Sequence, residues 1–181
     1  ALQLDLVILA WWPSIVKAPA IQTSKRGWLN MHPSLLPYNR GKHPYYWSIV
    51  EGTPFGVTLH LIDEGVDTGP LLFQKEIPVL WQDTGESLYQ KGLDTIYDLF
   101  VESFDAIRNL QLKPLPQKDV VATFRLSKEL DPHTNIDLRQ SYNAQDLINR
   151  LRGRTFFMGD SAYCIKDGKK YLLKIIIEPV D

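Results

Sequence analysis

The sequence predicts an α/β protein with a mixed, mostly parallel sheet in its core, followed by a small α+β module that contains a β-hairpin. Three observations support this prediction. Residues 4–10 form an almost continuous apolar run, which is typical of a parallel strand covered on both faces. Residues 93–107 carry apolar side chains at spacings of three and four, as in a helix that covers a sheet. Two prolines then separate the core, residues 1–116, from the module, residues 117–181.

The composition is that of an ordinary soluble chain. It has 181 residues, 44% of them hydrophobic, and a formal net charge of -1. This balance argues against nucleic acid or an anionic membrane as a partner, and no apolar run approaches the length that spans a bilayer. The start lacks the basic region of a secretory signal, so we expect a cytoplasmic protein. The single Cys164 permits no internal disulfide, and the sequence suggests no metal site.

The first strand leads into a candidate ligand crevice. Trp11, Trp12 and Pro13 follow it directly, at the carboxyl end where open α/β sheets keep their ligands. Packing in the core is the alternative for both tryptophans. After a short polar segment, residues 28–31 are predicted to form a second strand. Pro33 ends that strand, because proline has no amide hydrogen to give to a sheet ladder.

A short helix and an antiparallel pair of strands come next. Pro44 opens the helix, which covers residues 45–50. The strands predicted at residues 56–62 and 71–77 are separated by eight residues, too few for a helical crossover. They should therefore pair antiparallel, which makes the sheet mixed.

A long helix and the module complete the prediction. Asp83 or Thr84 caps the long helix at its start. In the module, residues 143–152 form a capped amphipathic helix, and a hairpin over residues 162–177 turns at Asp167-Gly168. The predicted buried face of the long helix consists of Leu93, Ile96, Phe100, Phe104 and Ile107.

The second strand and an acidic loop carry a usual set of groups for acyl transfer. Asn30 and His32 project to the same side, since side chains alternate along an extended strand. The Asn30 amide can stabilise a carbonyl oxygen that gains charge, and His32 can move a proton near neutral pH. A carboxylate of the loop, Asp63 or Asp67, can orient the imidazole. The alternative is a structural histidine bonded to a neighbouring carbonyl.

Four segments, in this order, resemble the formyltransferases that use N10-formyltetrahydrofolate. They are Asn30-Met31-His32-Pro33-Ser34-Leu35-Leu36-Pro37, Arg40-Gly41, Gly56-Val57-Thr58-Leu59-His60 and Asp63-x-Gly65-x-Asp67-x-Gly69-Pro70. That family includes the sugar N-formyltransferases, glycinamide ribonucleotide transformylase and methionyl-tRNA formyltransferase. The resemblance covers about residues 4–79. It implies a Rossmann-like core and N10-formyltetrahydrofolate as co-substrate, and no metal is expected.

The resemblance also implies roles for individual residues. By position, the catalytic residues of the family fall on Asn30, His32 and Asp67. The spacing to Gly69-Pro70 favours Asp67 over Asp63. The acceptor amine would attack the formyl carbon directly, Asn30 and His32 would hold the tetrahedral intermediate, and His32 would pass a proton with help from Asp67. The resemblance places the folate against Ala10, Trp11, Trp12, Pro13, Leu36, Ile62, Asp63, Glu64, Gly65 and Val66.

The acceptor is predicted from residues 38–49, which look most like those of the sugar N-formyltransferases. This implies a small-molecule amine, namely a nucleotide-linked amino sugar. A tRNA enzyme is expected to have a larger, basic C-terminal domain that tracks phosphates. The basic residues of the module are mixed with acidic and apolar ones, and a solvated face also explains them. The candidate acceptor-binding residues are Arg40, Arg152, Phe156 and Tyr163.

The start of the chain lacks the strand and helix units that open such a domain in the family. We therefore expect a fragment of a longer protein, with an unpaired edge on its first strand. Three hypotheses follow: a sugar N-formyltransferase; a methionyl-tRNA or glycinamide ribonucleotide formyltransferase or a formyltetrahydrofolate hydrolase; or a non-catalytic folate-binding fragment. Residues 171–177 are strongly apolar and offer a surface for a homodimer.

Overall fold

The computed structural model describes residues 3–10, 12, 14–118, 122–157 and 159–180. Its core is a four-stranded sheet covered by one long helix, and two further pairs of strands lie outside that sheet. In chain order the strands are β1 Val7–Ala10, β2 Trp28–His32, β3 Arg40–Gly41, β4 Phe55–Leu61, β5 Leu71–Ile77, β6 Phe124–Arg125, β7 Ala162–Lys166 and β8 Lys169–Leu173. The helices are α1 Ala18–Ile21, α2 Pro44–Glu51, α3 Gly85–Arg108, α4 Leu130–Thr134 and α5 Ala144–Gly153.

The sheet has the strand order β1-β2-β4-β5. Strands β1 and β2 are parallel, whereas β4 runs antiparallel to both of its neighbours. The mixed sheet and the antiparallel β4–β5 pair are therefore confirmed. Most strand pairs among the described residues are antiparallel, whereas we expected a mostly parallel sheet. One physical reason is the connection between β4 and β5, which is too short for the crossover that parallel strands need.

Strand β1 differs from its prediction. It begins at Val7 rather than at residue 4, and its side chains alternate between half-buried and exposed, with 39% of Ile8 exposed. Among the described strands, β1 pairs with β2 alone and lies at the edge of the sheet. The expectation of a strand covered on both faces is therefore wrong for the described residues, whereas its unpaired edge stays a prediction.

Helix α3 covers the sheet and begins at the predicted cap, Thr84. The Thr84 hydroxyl accepts a hydrogen bond from the Ser87 N–H, and the Ser87 hydroxyl accepts one from the Thr84 N–H. The predicted buried face is right for Ile96 and Ile107, but Phe104 is 43% exposed. The buried stripe runs through positions 92, 96, 99, 103 and 107, so Phe104 falls beside it.

The C-terminal module follows its prediction in outline. Asn143 caps α5 by accepting hydrogen bonds from the N–H groups of Gln145 and Asp146. The β7–β8 hairpin turns at Asp167-Gly168, and β8 ends at residue 173, before the predicted residue 177. Helix α5 packs against α2, where Gly153 lies beside the ring of Tyr46.

The connection between core and module, residues 112–118 and 122–126, is called the linker below. Leu71 and Leu115 exchange two backbone hydrogen bonds, of 2.8 and 2.9 Å. Further along, β6 pairs in parallel with β3. The linker therefore runs along the core surface, and the boundary at residue 116 stays a prediction. No helix in the described part of the chain is long and apolar enough to cross a bilayer.

Candidate active site

A cavity of about 410 Å³ opens at the carboxyl ends of β1 and β2. Its walls are mostly apolar and come from several segments of the core and from the linker. The apolar residues of the core include Leu9, Met31 and Ile62. Four polar residues lie together among its lining residues: Asn30, His32, His60 and Asp67. We call these four residues the floor cluster.

Strands β2 and β4 bring Asn30 and His60 together. The two residues are direct partners in the antiparallel ladder, and Asn30 Nδ2 lies 3.2 Å from His60 Nε2. His60 Nδ1 lies 2.8 Å from the Leu61 carbonyl oxygen, so this nitrogen carries the hydrogen and donates. In the neutral ring, Nε2 then accepts a hydrogen from the Asn30 amide. An amide carries two N–H groups, so the second one can donate to a ligand.

Asp67 lies between the two imidazoles of the cluster. Its Oδ2 is 3.6 Å from His32 Nδ1, and its Oδ1 is 3.6 Å from His60 Nε2. The Gly41 N–H also donates to Oδ2, at 2.9 Å. Asp67 takes a left-handed backbone conformation, with φ of 54°. The other nitrogen of the His32 ring lies 3.4 Å from the Asn39 carbonyl oxygen.

The charges of the floor cluster are set by burial and by close partners. Burial lowers the pKa of His32 below its ordinary value, and the Asp67 carboxylate offsets this only in part. Burial alone would raise the pKa of Asp67, but the adjacent imidazoles of His32 and His60 and the hydrogen bond from the Gly41 N–H hold it well below its usual range. Near neutral pH, His32 is therefore a free base beside an ionised Asp67.

The structure separates the two candidate aspartates. Asp63 accepts hydrogen bonds from the Gly65 N–H and the Thr68 hydroxyl, both on the exposed side of the loop. Its carboxylate thus holds the turn, while that of Asp67 contacts the imidazoles. The choice of Asp67 over Asp63 agrees with this geometry.

The fold and this arrangement of residues agree with a known family. The family described as Formyl transferase matches residues 1–104, more than half of the chain. The chain belongs to the formyl transferase family. A second description, N-formyltransferase dimerization C-terminal domain, matches residues 129–179.

Curated relatives of this chain include members of two groups. It is 32% identical over 152 residues to the dTDP-4-amino-4,6-dideoxyglucose formyltransferase of Mycobacterium bovis, covering 83% of this chain and 64% of the relative. It is 33% identical over 150 residues to the methionyl-tRNA formyltransferase of Thermodesulfovibrio yellowstonii, covering 82% of this chain and 47% of that one. The chain thus spans less than two thirds of the length of these relatives.

Solved structures share the fold over most of the chain. A sugar N-formyltransferase from Shewanella sp. FDAARGOS_354 superposes with a TM-score of 0.90 at 26% identity, covering 98% of this chain and 71% of that chain. A formyltransferase from Anoxybacillus kamchatkensis, in complex with UDP-4,6-dideoxy-4-formamido-L-AltNAc and tetrahydrofolate, has a TM-score of 0.69 at 30% identity, covering 82% and 77%. The predicted formyltransferase fold, with its C-terminal module, is confirmed.

The predicted folate-binding residues of this chain divide into three groups. Trp12, Ile62, Asp63, Gly65 and Val66 line the cavity. Ala10, Leu36 and Glu64 do not. Leu36 is only 2% exposed, and its N–H donates to the Thr58 hydroxyl, so it belongs to the core behind the cavity. Trp11 and Pro13 lie outside the described residues.

The predicted acceptor-binding residues lie mostly away from the cavity. Arg152 is buried, and its Nη1 donates to the carbonyl oxygens of Leu80, Trp81 and Asp83 at 3.0 to 3.1 Å. Its guanidinium is thus taken up by packing between module and core, which corrects its predicted role. We call Arg152, Asp83 and Lys91 the junction cluster, since the Asp83 carboxylate in turn accepts from Lys91 Nζ at 2.8 Å.

The other three candidates have separate places. Arg40 does not line the cavity and donates through Nε and Nη2 to Gln117 Oε1. Tyr163 lies in the hairpin, with its hydroxyl 3.4 Å from Asp131 Oδ2 and Lys170 over its ring. Phe156 packs against Tyr45, at 5.6 Å between ring centroids, and Tyr45 lines the cavity. Phe156 therefore contacts a residue of the cavity wall without lining the cavity itself.

Two features of the site were missed from the sequence. His60 links Asn30 to Asp67 in the floor cluster, and its signal was a lone imidazole in a mostly apolar strand, on the same side as residues 58 and 62. The linker residues Phe124, Arg125 and Leu126 line the cavity because β6 pairs with β3. That pairing joins segments 84 residues apart, and no local pattern predicts it.

Proposed function

We propose that this chain carries the catalytic site of a sugar N-formyltransferase. In the reaction, a formyl group passes from N10-formyltetrahydrofolate to the amine of a nucleotide-linked amino sugar. The proposal is carried by one observation: an amide, an imidazole and a carboxylate meet at one end of an apolar cavity. These groups suffice for an attacking amine, because the nucleophile then belongs to the acceptor.

Each floor residue has a role in this proposal. The free N–H of the Asn30 amide donates to the formyl oxygen as that oxygen gains charge. His32 accepts the proton that the amine loses, and the Asp67 carboxylate stabilises the resulting imidazolium. A carbon–nitrogen bond to the acceptor forms and the bond from the formyl carbon to N10 breaks. The proton released by the amine replaces the formyl group on N10. Atoms and charges of the reaction therefore balance without an oxidant or a metal.

The cavity fits the co-substrate, which supplies the formyl group. Leu9, Met31 and Val66 give apolar walls for a flat ring system, and Asp63 and the loop backbone around Gly65 add polar groups at its border. A cavity that is mainly apolar with a few convergent polar groups is usual for such ligands. The related Anoxybacillus kamchatkensis enzyme in complex with tetrahydrofolate supports the same assignment.

The C-terminal module favours a sugar rather than a tRNA acceptor. Its match to the N-formyltransferase dimerization C-terminal domain covers residues 129–179, and the sugar enzyme from Shewanella sp. superposes over nearly the whole chain. The net charge of -1 gives no general attraction for nucleic acid. The same match supports a homodimer formed through the module.

A formylation assay with the full-length protein tests the proposal. N10-formyltetrahydrofolate is supplied with dTDP-4-amino-4,6-dideoxyglucose, other nucleotide-linked amino sugars, methionyl-tRNA or glycinamide ribonucleotide. Among these acceptors, we expect only an amino sugar to be formylated. Turnover with methionyl-tRNA alone would contradict the sugar assignment, and turnover with none would contradict the transferase.

Calorimetric titration with 5-formyltetrahydrofolate tests the folate site separately. We expect the full-length protein to bind this stable analogue, and the Asp67→Ala variant to bind it more weakly. If the wild-type protein does not bind folate at all, the cavity has been assigned to the wrong ligand.

A further inference from the structure

Gln117, in the linker, makes four hydrogen bonds with one amide group. Its Nε2 donates to the backbone carbonyl oxygens of Asp67, at 2.8 Å, and Gly69, at 2.7 Å. Its Oε1 accepts from Arg40 Nε at 3.1 Å and Nη2 at 2.8 Å. The side chain thus reaches across about 50 residues to the loop that carries Asp67.

The backbone of this loop needs such support. Asp67 has a φ of 54°, a left-handed conformation that costs free energy for a residue with a side chain, although less for Asp than for most. Two residues later, a Cβ on Gly69 would lie 1.8 Å from the Leu61 carbonyl oxygen, so the loop is packed tightly there. Gln117 thus bonds to the carbonyl groups of the residues before and after Thr68.

Arg40 connects both sides of Asp67. Arg40 is buried, with only 8% of the residue exposed, and its Nε and Nη2 both donate to Gln117 Oε1. The next residue, Gly41, donates its N–H to the Asp67 carboxylate. The Arg40 N–H itself donates to the Thr123 carbonyl in the linker, at 2.9 Å. Residues 40–41 therefore contact the carboxylate of Asp67 directly and its backbone through Gln117.

We propose that Gln117, oriented by Arg40, is a positioning residue that sets the Asp67 carboxylate against His32. The catalytic meaning of this inference rests on the proposed function, whereas the positioning itself does not. It also gives Arg40 a role in place of its predicted contact with the acceptor. The linker then belongs to the active site rather than being a simple connection.

Two variants of the full-length protein test the proposal, with one matched control. Gln117→Met keeps the length of the side chain and removes all four hydrogen bonds, while Gln117→Glu keeps the partner for Arg40 and removes both donated bonds. Gln74→Met is the control. Gln74 Nε2 likewise donates to two oxygens, Leu36 O at 2.7 Å and Thr58 Oγ1 at 2.9 Å, and it does not contact Asp67.

We expect both Gln117 variants to lower kcat at least tenfold, with the KM for the folate changed less than threefold. The control should keep kcat within twofold. In Gln117→Met, the His32 ring, followed by NMR, should titrate at lower pH than in the wild type, because a displaced Asp67 no longer raises its pKa. Asp67, His60 and Lys42 are the charged or titratable groups that act on His32.

The inference is overturned if the Gln117 variants match the Gln74 control in both kcat and His32 titration. Failure of the proposed function looks different. In that case the wild-type protein formylates no amine, yet the His32 titration still moves in Gln117→Met and stays fixed in Gln74→Met, which supports the positioning role by itself.

Discussion

The floor cluster and the junction cluster are both polar and mostly buried, but they differ in what their groups face. In the junction cluster, Arg152 and Asp83 bond to protein groups on every side, including three carbonyl oxygens and the Lys91 ammonium. In the floor cluster, Asn30 and His32 line a cavity, their contacts are longer, at 3.2 to 3.6 Å, and the Asn30 amide keeps a second N–H that can donate to a ligand. Burial alone therefore does not separate the two clusters, whereas the cavity beside the floor cluster does.

The largest expected effect comes from His32→Ala. Loss of the proton acceptor should lower kcat about 10²–10⁴-fold, while folate affinity changes little, because the apolar walls remain. Steady-state formylation kinetics of the full-length protein measure this. His133→Ala is the matched control, since that ring bonds to the Tyr46 hydroxyl at 2.7 Å in the junction between module and core. Should His32→Ala keep the wild-type kcat, the floor cluster would not be catalytic.

A change in pH profile is the next expected effect. His32 must be unprotonated to accept a proton, and its pKa is lowered below 6.5 by burial, so kcat/KM should hold at pH 7 and fall only as the pH drops further. Asp67→Asn removes the charge that raises the pKa of His32. In this variant, the fall of the residual kcat/KM on the acid side of the profile should therefore occur at lower pH than in the wild type.

Asp83→Asn provides the comparison for this profile, because it removes a buried carboxylate from the junction cluster instead. Its acid limb should coincide with that of the wild type. A limb that moves to higher pH in Asp67→Asn would contradict the assigned coupling between Asp67 and His32.

Arg152→Met should affect stability rather than catalysis. It leaves the Leu80, Trp81 and Asp83 carbonyl oxygens without their donor, which should lower the free energy of unfolding by about 1–3 kcal/mol. Urea denaturation at fixed protein concentration measures this, with kcat expected within twofold. Arg139→Met, which removes an exposed ion pair with Asp137, should leave stability unchanged. A large fall in kcat for Arg152→Met, with unchanged stability, would return Arg152 to the acceptor site.

The smallest effect is expected for Asp63→Asn. The amide oxygen can still accept from the Gly65 N–H and the Thr68 hydroxyl, so the turn should persist and kcat should stay within threefold. Paired with Asp67→Asn, it compares two aspartates four residues apart under the same assay. Equal losses in the two variants would mean that the loop shape matters more than the position of one carboxylate.

What the sequence predicted best was local. The Thr84 cap, the α5 helix and the turn at Asp167-Gly168 depend on neighbouring residues, and each lies where it was predicted. Asn30 and His32 followed from strand alternation. What it could not predict depends on distant contacts: Arg152 meets carbonyls about 70 residues away, and Gln117 meets the Asp67 loop 50 residues away. Neither residue type in its local setting indicates such a partner.

The path of the linker has a consequence for recombining formyl transferases. Strand β6 of the linker pairs with β3 of the core. Leu115, between the two prolines of the linker, exchanges backbone hydrogen bonds with Leu71 of the core. A chimera joined at the prolines would combine one parent's Asp67 loop with another parent's Gln117. A crossover placed after residue 126 would keep these partners together, so module exchange should succeed there and fail ten residues earlier.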